Sequence, residues 1–173
     1  MKTTLILKIM NILFWIVFIG LCIETGALLV SFFLRLFGNP EISQNLYLGL
    51  DIQNVYEFNL ENYIGVASFL IALTAMKAYL AFLVVKLFMK FDLNYPFNEK
   101  AASLISEISY YALSIGIVAI IADNYGERIV KQGIKLQIDW GAEQFLFFAG
   151  IIYIIALVFK KGVEIQNENE LTI

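Results

Sequence analysis

The sequence has no histidine, one cysteine, two prolines and only 16% charged residues. Without histidine there is no Ser-His-Asp or Cys-His nucleophile pair and no imidazole metal site. One cysteine builds neither a thiolate zinc site nor an intramolecular disulfide. Cys22, deep in the first apolar run, reads as a small buried hydrophobe. There is no basic cluster, and with a formal net charge of -3 direct nucleic-acid binding has no electrostatic basis. Phosphate-cradling glycine loops, HExxH helices and GxSxG elbows are absent too. No paired aspartates in facing spans and no metal-binding diads appear, so the reading is non-enzymatic, with no catalytic residue, metal or cofactor assigned.

What the chain does have is oil. Hydrophobic residues make up 60% of 173 residues, and the mean hydropathy is +0.77. Soluble domains run at about 45–50% apolar and about 25% charged. A chain this short cannot hide that much apolar surface from water, which points to an integral membrane protein.

Crossing about 30 Å of hydrocarbon as helix takes about 20 apolar residues. Four stretches reach or approach that, at 8–37, 63–91, 99–122 and 142–160. They leave outer loops at 38–62 and 123–141 and a tail at 161–173, all in one domain. The N-terminal run continues past Cys22 to Phe37. That is too long for a signal peptide, so it reads as a permanent span. With the N-terminus in the cytoplasm, the inner side collects Lys2, Lys8, Lys86, Lys90, Lys100, Lys160 and Lys161, against Arg35, Arg128, Lys131 and Lys135 outside. This bias places both termini in the cytoplasm.

The outer loops alternate. Leu46, Leu48, Leu50 and Ile52, then Gln53-Asn54, then Tyr56, Phe58 and Leu60 give the pattern of a β-hairpin. Ile134, Leu136, Ile138 and Trp140 repeat the same period. The expected fold is therefore all-α membrane: a four-transmembrane-helix bundle with a small extracytoplasmic β-sheet of about three strands built from the two outer loops.

Three ionisable residues fall inside spans, where each costs roughly 2.5–3.5 kcal/mol near mid-bilayer. They are Glu24, Lys77 and Glu107. By depth, Lys77 matches either carboxylate, and Glu24 more closely. Ser103, Glu107, Tyr110 and Ser114 step by helical spacing along one face of the third span. Two readings follow: a polar, protonatable interior lined by Glu24, Lys77, Glu107 and Tyr110, or a structural ion pair that fixes bundle register. On another face, Ala112 and Gly116 suit close contact with a neighbouring span or with a second copy in a homo-oligomer.

At the inner boundary, Pro96 turns Tyr95 away from helix and Asn98 suits an N-cap. Gly162 after Lys160-Lys161 suits the end of the fourth helix. The tail beyond is acidic and punctuated by Ile165, Leu171 and Ile173, so it reads as a frayed helix or a docking peptide.

The segments Pro96-Phe97-Asn98-Glu99-Lys100 with Ser103-Leu104-Ile105-Ser106, and 159–173 ending in Glu164-Ile165-Gln166-Asn167-Glu168-Asn169-Glu170-Leu171-Thr172-Ile173, resemble the two signatures of a family of bacterial four-span proteins, catalogued as domain of unknown function 2975. The resemblance implies a bacterial plasma-membrane protein with no assigned activity. Such proteins are often encoded beside small helix-turn-helix regulators, which implies a cytoplasmic protein partner. On that view Pro96, Phe97, Asn98, Gly162, Gln166, Glu170 and Leu171 are the partner-binding candidates. The function expected is an interaction or sensor protein in the lipid bilayer. The alternative, by analogy with small multidrug exporters, is a proton-coupled transporter working through Glu24.

Overall fold

The computed structural model describes residues 2–37, 53–91 and 95–170, with side chains over 5–37, 54–91 and 95–168. Five helices follow in chain order: α1 (Lys2–Phe37), α2 (Gln53–Phe58), α3 (Leu60–Lys90), α4 (Glu99–Lys131) and α5 (Ala142–Glu170). Four of them, all but the short α2, are long and apolar enough to cross a membrane.

The long helices pack antiparallel, each against its neighbour in sequence. Phe14 meets Phe88 and Phe18 meets Phe82 across α1 and α3, with ring centroids 5.6 and 5.4 Å apart. Tyr79 meets Tyr111 at 4.7 Å across α3 and α4. Ser109 donates to the Ala149 carbonyl at 3.1 Å across α4 and α5. Among the described residues the backbone of α1 approaches neither α4 nor α5. The helices thus form an open row, with α3 and α4 carrying most of the buried side chains and α1 and α5 as flanks. The start of α1 and the end of α5 lie at one end with the 95–98 turn; the end of α1, α2 and the segment 132–141 lie at the opposite end.

Close approach falls where side chains are smallest. A Cβ on Gly116 would meet Leu146 Cδ2 at 2.7 Å, so the small-residue face of α4 seats α5 of the same chain. Asparagine caps start both inner helices. Asn59 Oδ1 accepts from Glu61 N at 2.7 Å, and Asn98 Oδ1 from Ala101 N at 2.8 Å.

The extracytoplasmic sheet is not shown: no β-strand occurs among the described residues. The first expected strand, at 46–52, lies outside the described residues. The second is replaced by α2 and the start of α3. Val55 is fully buried, Tyr56 packs edge-on to Tyr63 at 5.3 Å, and Phe58 and Leu60 are exposed. Val55 and Tyr63 are the buried residues here, placed by α2, the extended break at Asn59 and the first turn of α3 instead of by alternation. The third segment does alternate, with Ile134 and Trp140 buried and Lys135, Gln137 and Asp139 exposed. It lies extended on the helix ends without a ladder, because one apolar surface is enough to sort side chains two by two.

Two helices run past the C-terminal bounds of their expected spans. α4 continues to Lys131, because Ala122, Gly126 and Ile129 keep an apolar stripe beneath the charges, and Gly133 follows at φ +91. α5 runs through Gly162 to Glu170, so that glycine is inside the helix and caps nothing.

Candidate functional site

The two segments singled out in the sequence meet in space. Asn98 caps α4 and also donates from Nδ2 to the Tyr95 carbonyl at 3.0 Å, which closes the turn around Pro96. That turn aims Phe97 at α5. Its ring packs against Phe159 at 5.3 Å and lies over Gly162, where any Cβ would collide with the ring. A glycine inside a helix costs about 0.5–1 kcal/mol relative to alanine. Here the missing side chain is the socket for Phe97.

Beside this contact is a cleft of about 310 Å³ between the first turns of α4 and the last turns of α5. Glu99, Ser103, Ser106, Lys160 and Glu164 line it, with Val163 buried at its base. Lys161 binds Glu164 at 2.7 Å on the exposed side, a contact worth little in water. Gln166 is partly buried and Pro96 likewise. The side chain of Glu170 and all of Leu171 lie outside the described residues.

The intramembrane residues are dispersed. Glu24 is partly buried on α1 and forms no ion pair with Lys77. Lys77 is partly buried and places its ammonium 5.4 Å from the Phe145 ring centroid. Glu107 is exposed and accepts from the Tyr79 hydroxyl at 3.4 Å. Tyr110 is 55% exposed and packs near Tyr153. The stripe Ser103, Glu107, Tyr110 and Ser114 is therefore exposed along the outside of the row, with Ser103 alone edging the α4–α5 cleft. The expected pairing of Lys77 with Glu24 or Glu107 is absent because depth alone does not bring side chains together; their azimuths on the helices differ.

Sequence reasoning missed Arg35, which it counted only as an outer charge. Arg35 is 8% exposed, with its guanidinium carbon 4.4 Å over Tyr56 and 5.4 Å from Tyr63. Stacking of this kind favours arginine's planar, weakly hydrated group. The available signal was an arginine in the last turn of α1 with two tyrosines at helical spacing after the loop.

Among the described residues, no group of three or more metal-ligating side chains is assembled. No family model matches the chain, and neither a curated protein nor a solved structure does.

Proposed function

We infer that the protein is a non-enzymatic membrane interaction or sensor protein, which engages a cytoplasmic partner through the surface formed by the 95–100 turn and the end of α5. The supporting observation is the Phe97–Gly162 contact. It joins two segments 65 residues apart in sequence into one platform, at the end where α1 begins and α5 finishes. Beyond Gly162 the chain carries Glu164, Glu168 and Glu170, an acidic surface suited to a basic partner. A helix-turn-helix regulator has that character, and it is the partner the family resemblance implies. On this reading the membrane is the bacterial inner membrane and the platform faces the cytoplasm. The transporter alternative needs a polar route beside Glu24, and the dispersal of Glu24, Lys77 and Glu107 gives it no support.

Deleting residues 163–173 should abolish co-purification of a co-expressed helix-turn-helix regulator while leaving the four spans inserted. Unchanged recovery of the regulator would defeat the reading.

A further inference from the structure

Because the backbones of α1 and α5 stay apart, a trough opens between them, floored by α3 and α4. Its volume is about 290 Å³ and every lining side chain is apolar; Leu7, Val84, Ile108 and Phe148 represent its four walls. An apolar cavity of about 150 Å³ already stays dry and holds a benzene-sized ligand. Phe91 and Phe159 mark the end of the trough near the termini.

A cation lies beyond the other end, seven residues or about 10 Å past Val84, the last trough residue on α3. On α3, Lys77, Val84, Phe88 and Phe91 step by 7, 4 and 3 residues, which puts Lys77 on the trough-facing side. Its ammonium reaches across to Phe145, one turn from Phe148 on α5. Among the described residues Lys77 makes no ion pair. An unneutralised ammonium inside a span costs roughly 2.5–3.5 kcal/mol, and a ring face returns up to about 2 kcal/mol. An apolar trough therefore lies in line with an unanswered positive charge on the same face of α3.

We propose that this is a binding site for a long-chain carboxylate, its tail in the trough and its head on Lys77. The 14 residues from Lys77 to Phe91 span about 21 Å, a length suited to palmitate, whose distal half fills the trough between Val84 and Phe91. A phospholipid is the weaker fit. Its headgroup stays at the bilayer surface, and Lys77 lies 13 residues, about 20 Å, from Lys90 at that surface. The proposal shares Phe159 with the partner reading, whose Phe97 packs on that ring, but its test turns on Lys77 and Ile108, which touch neither the 95–100 turn nor the end of α5 beyond Phe159.

The test is competition binding with the full chain in a neutral maltoside micelle, using palmitate and hexadecanol as probes. Palmitate should bind saturably and at least about tenfold more tightly than hexadecanol. Lys77→Met should bring palmitate down to the alcohol's affinity without changing the alcohol, and Lys77→Arg should retain the preference. Ile108→Trp, which fills the trough, should weaken both. Equal binding of the two probes by the unaltered protein overturns the proposal and marks the trough as a general acyl-chain crevice. Palmitate binding that survives Lys77→Met, or that survives Ile108→Trp, overturns it as well. Should Lys77→Met fail to fold, the comparison of the two probes on the unaltered protein still decides.

Discussion

The two ends of the helix row are held by different kinds of contact. At the end with the termini, the join is a matter of shape, a phenylalanine ring over a glycine, with no charge at its centre. At the opposite end, the join is a buried cation between two tyrosine rings. A shape fit is destroyed by adding atoms and tolerates any chemistry of the right size. A cation clamp is destroyed by removing charge and tolerates added bulk poorly. The difference predicts which substitution each end will resist.

The largest effect belongs to Gly162→Leu. The added side chain must displace Phe97 from α5, and overpacking of this kind costs about 1–3 kcal/mol. Thermal unfolding in detergent should show that loss, and co-purification of the regulator should fall with it. Gly162→Leu with a normal melting profile would mean that the Phe97 contact is incidental. Phe97→Ala in the same background should recover part of the stability, because it removes the ring that collides.

Next in size is Arg35→Met, which keeps a long flexible stem and removes the charge. The loss of a desolvated cation–ring contact should cost about 1–2 kcal/mol, with no change in regulator recovery, because the clamp is at the far end. If the methionine variant proves as stable as the parent, the burial cost of the guanidinium cancels its attraction to the rings. The opposite end would then be held by apolar packing, as the first end is, and the contrast would collapse.

How much of this was visible in the residues depends on the kind of constraint. The four long helices were legible, because a bilayer demands about 20 apolar residues in a row and four stretches supply or approach them. Asn98 was legible as a cap for the same local reason, since capping needs only neighbours in sequence. The outer sheet failed where one pattern admits two structures. Alternation at 134–140 sorts side chains correctly yet makes no strand, and Tyr56, Phe58 and Leu60 alternate while the buried residues are Val55 and Tyr63. Gly162 was noticed for the wrong reason: a glycine after two lysines looks like a helix end, and only the distant Phe97 explains why it sits inside one. Lys77 and Glu107 match in depth, but Glu107 turns to Tyr79 on the outer surface. Azimuth is a property of packing between helices, and depth within one helix does not contain it.

The finest distinction between the two ends is in their asparagine caps. Asn59 and Asn98 each accept one backbone N–H at the start of a helix, at 2.7 and 2.8 Å. Asn→Ala at such a site typically costs about 1 kcal/mol. Asn98 has a second task, since its amide also donates to the Tyr95 carbonyl and so shapes the turn that carries Phe97. Asn98→Ala should therefore exceed Asn59→Ala by about 0.5–1 kcal/mol, one further hydrogen bond. It alone should reduce regulator recovery. Asn98→Asp separates the two tasks, because a carboxylate still caps the helix but cannot donate to Tyr95. A variant with parental stability and weakened recovery would assign the turn to docking. Weakened stability with full recovery would leave the cap as the residue's whole contribution and move the docking surface onto α5.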